Sequence, residues 1–238
     1  MKHNENGRPL GERQREMAAG FWDREYAQDR FLDLPPDPFV ADILGAAWSH
    51  GLLPGPGIYI GVGNGRNYFP LVEAGLDLVG LDISAVGLAA IRERAPGHYA
   101  RLVHGDLSVL PAGETFPVVI GLNVFHHGDR DTAHAHISGA LECVAPGGLF
   151  CVRVNAAGTA PSRPAEVAAE YDDGSVTYRY LPEDGMPRLL SHFFTEEALA
   201  SLLEAYEPVL PLALDDTDIA TGRPGNWRRW QGVYRRPA

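Results

Sequence analysis

The chain of 238 residues is almost without lysine: Lys2 stands alone against nineteen arginines. That absence removes the Tyr-x-x-x-Lys pair of nicotinamide oxidoreductases. Cysteine is scarce as well. Cys143 and Cys151 lie in apolar surroundings and read as buried free thiols, which points to a reducing compartment. Long apolar runs are missing. None approaches the ~20 residues of a membrane span, and the opening stretch MKHNENGRPLGERQREM lacks the apolar core of a secretory leader. A cytoplasmic protein with no membrane partner is expected. Positive charge is also short, with a net −11. A phosphate-binding surface needs the opposite sign, so no nucleic acid is expected as a partner. There is no internal repeat and no long low-complexity run. The length suits one domain, residues 1–238, long enough to bury a large core without disulfides.

What is present is a rhythm. Residues 12–29 read as a charged helix with Met17, Phe21, Trp22 and Tyr26 on one face. It anchors an expected N-terminal helical lid over residues 1–35. LPPDP breaks it, and Phe39, Val40, Ile43, Leu44, Ala47 and Trp48 continue at helical spacing. From Gly57 the pattern alternates. GIYIG, LDLVGLD, YARLVHGD, FPVVIGLN and GGLFCVRVN read as strands, separated by helices that include SAVGLAAIRERA, with Ser84 as N-cap, and DTAHAHISGALECV. This alternation predicts an α/β fold, a parallel sheet with helices on both faces. Residues 156–191 interrupt it. They are rich in Pro, Gly and acids, contain the credible strand SVTYRYL, and read as an inserted cap that shapes a substrate pocket. Thr195 caps a further helix, and PVLPLAL and RWQGVYRR close the chain as two strands whose short connection is compatible with an antiparallel pair.

The first strand opens into GVGNGRN, residues 61–67, with Gly61, Gly63 and Gly65. A dinucleotide fingerprint, G-x-G-x-x-G, requires glycine at position 66, where this chain has Arg66. Glycines at these places let a strand-to-helix turn approach a ligand closely, and the helix amides that follow can receive a carboxylate or a phosphate. Asp82 ends the second strand, 21 residues beyond Gly61, and can accept both hydroxyls of a ribose. HGDL ends the third, with Asp106 and Leu107 placed for an adenine. GLNVFHHGD ends the fourth. All are strand carboxyl ends, where open α/β sheets bind ligands.

This ordered set, GVGNGRN, VGLDIS, HGDL, GLNVFHH and APGGLF over about residues 55–155, resembles the class I S-adenosylmethionine-dependent methyltransferases. FWDREY and HFFTEEAL resemble flanking segments of small-molecule members. The resemblance implies a Rossmann-like seven-stranded sheet with its last strand antiparallel, and S-adenosyl-L-methionine as cofactor. It implies that Gly61, Gly63 and Gly65 frame the methionine part together with Asn64 and Asn67. Asp82 and Ile83 would meet the ribose, Asp106 and Leu107 the adenine, and Asn123 would lie beside the sulfonium. The family usually carries an acid two places before the first glycine, to hold the cofactor's ammonium. Tyr59 stands there instead, and Asn123, Tyr26 or a backbone carbonyl is the expected substitute.

Methyl transfer from a sulfonium needs alignment and exclusion of water, and a base only if the acceptor keeps its proton. His126 and His127 are the candidates for that base. HHGDRDTAHAH invites a metal reading, but His134 and His136 are two apart on a helix and diverge, so no metal is expected. Candidate substrate contacts are Trp22, Tyr26, Arg153 (to pair with an acidic acceptor), Tyr178, Tyr180 and His192. Arg223, Arg228, Arg229, Arg235 and Arg236 read as a solvated strand edge. The leading reading is a monomeric or homodimeric methyltransferase acting on a small-molecule substrate, possible in specialised metabolism by analogy. The alternatives are a nucleic-acid or protein methyltransferase, disfavoured for nucleic acid by net charge and by the lack of Asn-Pro-Pro-Tyr after the fourth strand, and a non-catalytic cofactor-binding protein of the same fold.

Overall fold

The computed structural model describes residues 10–161, 163–181, 188–218 and 223–238. Lys2, the first nine residues of the expected lid, residues 162 and 182–187 of the expected cap, and the Arg223 side chain lie outside the described residues. In chain order, α1 (Leu10–Ala27) and α2 (Phe39–Ser49) precede β1 (Gly55–Ile60), α3 (Tyr68–Glu73), β2 (Leu76–Asp82), α4 (Ala85–Arg94), β3 (Leu102–His104), β4 (Phe116–Leu122), α5 (Arg130–Glu142) and β5 (Val144–Asn155). Then come β6 (Ala165–Glu170), β7 (Val176–Tyr180), β8 (Leu190–Phe193), α6 (Glu196–Leu202), β9 (Glu207–Asp218) and β10 (Arg223–Arg235).

Seven strands form one sheet in the order β3-β2-β1-β4-β5-β10-β9. The first five are parallel, and β10 runs antiparallel to both β5 and β9. The expected mostly parallel sheet with an antiparallel last strand is therefore present. Strand order reverses between β1 and β4, so the loops after these strands part and leave a crevice at the carboxyl edge.

Period-two alternation puts successive side chains of one strand into different cores. Tyr59, Val118, Ile120 and Cys151 pack with Ile43, Leu71, Leu88 and Ile91 of α2, α3 and α4. Ile58, Ile60, Val119 and Phe150 pack with Ile137 and Leu141 of α5 and Leu199 of α6. Helices thus cover both faces. Side-chain oxygens start three of them: Ser84 accepts from Gly87 N–H, Asp129 from Thr132 N–H and Thr195 from Ala198 N–H. Pro70 is the third residue of α3, where its missing N–H would have had no helical partner.

Some local expectations fail. The third strand is only Leu102–His104, because Pro96–Arg101 forms a 3-10 turn. Trp48 is 70% exposed and does not join the buried face of α2. β6, AEVAAE, shows no strand signal, since Ala and Glu are poor strand formers; it forms through antiparallel pairing with β7, which also pairs with β8. This three-stranded sheet joins the main body through the bridges His127–Ser191 and Ala156–Phe194. Both cysteines are free thiols, and Cys151 is buried.

Candidate active site

The carboxyl ends of β1, β2 and β4, the helix α1 and the β6–β8 sheet enclose a cavity of about 1510 Å³. Pockets for one drug-sized ligand span roughly 300–1,000 Å³, so this one has room for two. α1 is tied across it. Asp23 accepts from Ser84 Oγ (2.6 Å) and Val86 N–H (3.1 Å), and Arg15 Nε lies 2.9 Å from Asp106. The buried Glu25 pairs with Arg163 (2.7 Å) and Arg30 (3.2 Å).

Gly61 and Gly63 of the glycine turn line the cavity, and Gly65 does not. Gly61, Gly63 and Gly65 have φ of +74°, +58° and +90°, left-handed values that favour glycine. A Cβ at these positions would meet Val124 at 2.5 Å, the Tyr26 hydroxyl at 2.6 Å and Phe69 at 2.7 Å. The close approach made here is therefore first to the protein's own side chains. Gly63 N–H donates to Asp82 Oδ2 and Ser84 N–H to Oδ1, both at 2.7 Å. Burial raises the Asp82 carboxyl, and these two donors oppose that rise. Burial works the same way on Asp106, but its Ser108 hydrogen bonds and Arg15 outweigh it and hold the carboxyl low. Asn64, Asn67, Ile83 and Leu107 also line the cavity.

Tyr59 is buried and faces the cavity. Its hydroxyl accepts from Asn67 Nδ2 (3.2 Å), and Asn67 Oδ1 accepts from Asp37 N–H (2.8 Å). Burial raises its pKa far above the ordinary phenol, so it stays neutral. Tyr26 stacks on Trp22, with ring centroids 5.6 Å apart. Asn123 adopts φ +58° directly after β4 and donates its N–H to Arg153 O (2.8 Å). Its Oδ1 is buried without a hydrogen-bond partner among the described residues. The rings of His126 and His127 lie 4.6 Å apart. Burial drives His126 well below the ordinary histidine and His127 to about 4. Both are neutral at neutral pH, and His126 Nδ1 has no hydrogen-bond partner among the described residues.

Residues 58–148 match the family model described as a methyltransferase domain. The fold recurs in a 1,6-didemethyltoxoflavin-N1-methyltransferase of Burkholderia thailandensis, solved with 1,6-didemethyltoxoflavin and S-adenosylhomocysteine: TM-score 0.67 at 16% identity, over 97% of this chain and 92% of that one. Residues 58–148 thus carry a methyltransferase domain, and the chain has the fold of S-adenosylmethionine-dependent methyltransferases. Two further solved structures share the fold. The N-methyltransferase NodS of Bradyrhizobium japonicum, in complex with S-adenosylhomocysteine, has a TM-score of 0.59 at 16% identity, over 93% of this chain and 100% of that one. The CcbJ methyltransferase of Streptomyces caelestis has 0.56 at 22%, over 94% and 98%. A search among curated proteins finds no sequence match.

Three expected substrate contacts do not reach the cavity. Arg153 is 1% exposed. Its Nε lies 3.1 Å from Asp37 Oδ2 and its Nη2 2.6 Å from Asp215 Oδ2, and it also donates to Gln231. Its charge is already answered inside the protein, so it is not free for an acidic acceptor. Tyr178 packs edge-on against Phe193 at 4.9 Å. His192 is fully buried, with Nδ1 3.1 Å from Thr177 Oγ1 and its ring against His134 and Phe194. Trp22, Tyr26 and Tyr180 do line the cavity.

Four of the C-terminal arginines, those whose side chains are described, are engaged rather than simply solvated. Arg228, Arg235 and Arg236 donate to the carbonyls of Gly158, Gly147 and Val144, and Arg229 lines the cavity. His136 faces the cavity while His134 stacks on Phe194, and among the described residues no three His, Cys, Asp or Glu converge on one point. Asn155 and Arg229 line the cavity without any motif to mark them, and Glu25 does so from within FWDREY.

Proposed function

We propose that this protein is an S-adenosylmethionine-dependent methyltransferase that modifies a small molecule held in the cavity between α1 and the β6–β8 sheet. The observation that carries the reading is the volume, about 1510 Å³, room for an acceptor beside the cofactor. The toxoflavin methyltransferase, of the same fold, holds a small molecule together with S-adenosylhomocysteine, which supports it. A cavity walled by a helix and a sheet, in a chain of net charge −11, does not suit a nucleic acid.

The residues fit the cofactor, and S-adenosyl-L-methionine when bound supplies an activated methyl group. Asp82 keeps lone pairs beyond the two it gives to Gly63 and Ser84, enough for ribose hydroxyls. Asp106 and Leu107 would hold the adenine, and the turn from Gly61 to Asn67 the methionine part. The neutral Tyr59 cannot balance an ammonium. Asn123 Oδ1 is the buried acceptor left for it, with the Tyr26 hydroxyl beside Gly63. A buried acceptor without a donor costs about 1–3 kcal/mol, so a donor brought by the ligand recovers stability there. Trp22 and Tyr26 on α1 exclude water. His126, neutral with a free ring nitrogen, would take a proton from a hydroxyl or phenol acceptor; His127 is the second candidate.

Calorimetry with S-adenosylmethionine and S-adenosylhomocysteine tests the cofactor site. Absence of binding to both would refute it. Affinity unchanged in Tyr59→Asp would show that position 59 plays no part in holding the methionine end.

A further inference from the structure

Seven arginines but only three carboxylates line the cavity, although the chain as a whole is acidic. Most of that positive charge is already answered. Arg15 meets Asp106, Arg30 and Arg163 share Glu25, and Arg179 meets Glu166 at 2.9 Å. Arg188 is exposed, and Arg66 donates to the Pro35 carbonyl at 3.4 Å. Arg229 is different. It is half-buried at the cavity wall, and among the described residues no acceptor or carboxylate lies within bonding distance of its guanidinium.

Strand register explains why. Arg229 stands directly opposite Asp215 on β9 and Asn155 on β5. Asp215 would be its cross-strand partner, but Asp215 Oδ2 is held by Arg153 at 2.6 Å. Asn155 is occupied by Trp227 Nε1 (3.0 Å) and Ser191 Oγ (3.2 Å). The Arg229 guanidinium rests over the Trp227 ring at 4.8 Å. Burial, then the like charge of Arg153, lowers its pKa to about 10 against the pull of Asp37 and Asp215, so it remains charged at neutral pH. A partly desolvated charge with no carboxylate in contact is costly, and the guanidinium fork matches the two oxygens of a carboxylate.

Position separates this charge from the adenosine end. Asp82 ends β2, and β10 lies four strands away across β1, β4 and β5, roughly 19 Å at ~4.8 Å per strand. Arg229 is instead near enough to His126 for its charge to depress that imidazole. We propose that Arg229 receives a carboxylate carried by the methyl acceptor, a planar small acid lying along Trp227. This rests on the reading of the cavity as the site of a small-molecule acceptor.

Protein saturated with S-adenosylhomocysteine, as wild type, Arg229→Gln and Arg229→Lys, is titrated calorimetrically with benzoate, salicylate and the uncharged benzamide. At least one acid should bind to the wild type, tenfold or more tighter than benzamide. Arg229→Gln should lose that acid's affinity tenfold or more, with Arg229→Lys between them. Affinity for S-adenosylhomocysteine should move less than threefold in both variants, which also reports that they are folded. Equal binding of acid and amide, no binding of either acid, or acid binding unchanged in Arg229→Gln would overturn the proposal. A tenfold loss of S-adenosylhomocysteine affinity in Arg229→Gln would overturn it too, by assigning Arg229 to the cofactor's own carboxylate. Failure of the wild type to bind S-adenosylhomocysteine is a separate outcome, which removes the cofactor site and the proposal with it.

Discussion

Acidification from about pH 7 to about pH 5 should destabilise this protein steeply, because burial holds several of its histidines neutral. Burial, followed by the charge of His136, holds His127 at about 4. Burial, followed by the charge of His134, holds His192 at about 4. In the unfolded chain both titrate near the ordinary ~6.5. Between those two values the unfolded state binds two protons that the native state refuses, so stability falls as pH falls. One such proton is worth ~1.36 kcal/mol per pH unit, which integrates to roughly 2 kcal/mol per histidine over this range and about 4 kcal/mol for the pair. His126, His134 and His136, also depressed by burial, add in the same direction. Asp82, whose carboxyl is raised, works the other way, because it takes its proton first in the native state. Asp106, Asp173 and Asp215 are lowered and lose their contribution only below the ordinary carboxylate pKa of ~3.9, outside this range. A total stability of ~5–15 kcal/mol makes a 4 kcal/mol loss easy to see. The assay is urea unfolding at several pH values and constant ionic strength, on wild type and a His127→Gln/His192→Gln double variant. Stability that stays level across the range, or an equally steep slope in the double variant, would refute the reasoning.

Arg153→Met should leave the buried Asp37 and the partly buried Asp215 without their cation and cost about 3–5 kcal/mol, read as a lower melting temperature. An unchanged melting temperature would show that the pair of ion contacts is dispensable. Asn123→Ala should lose about 1 kcal/mol of stability because alanine resists the left-handed backbone at this position, while Asn123→Gly should not. Both should weaken S-adenosylmethionine binding severalfold through loss of Oδ1, and full affinity in the glycine variant would remove that role. His126→Ala or His127→Ala should slow methyl transfer at saturating cofactor by ~10²-fold or more if one is the base. A loss below tenfold in both would leave the reaction without a histidine base.

The parallel sheet, the order of its helices, the glycine turn and the acids at the ends of β2 and β3 were legible in the sequence alone. Each depends on neighbours a few residues away, through strand alternation, helical spacing, caps and turns, and local chemistry of that kind is written in local sequence. What each charge faces is not. Arg153 looked available at the end of β5, until Asp37 and Asp215, distant in the chain, folded against it. The same capture of Asp215 leaves Arg229, on an edge that read as solvated, facing the cavity with no carboxylate in contact among the described residues. The glycines of the turn were expected to make room for a ligand, yet a Cβ would first meet Val124, Tyr26 and Phe69. Only tertiary packing decides such matters, because burial and charge pairing depend on which distant residues arrive at the same place. The local pattern built the carboxyl edge where a methyl donor fits, and the distant contacts chose which of its side chains remain free to meet what binds there.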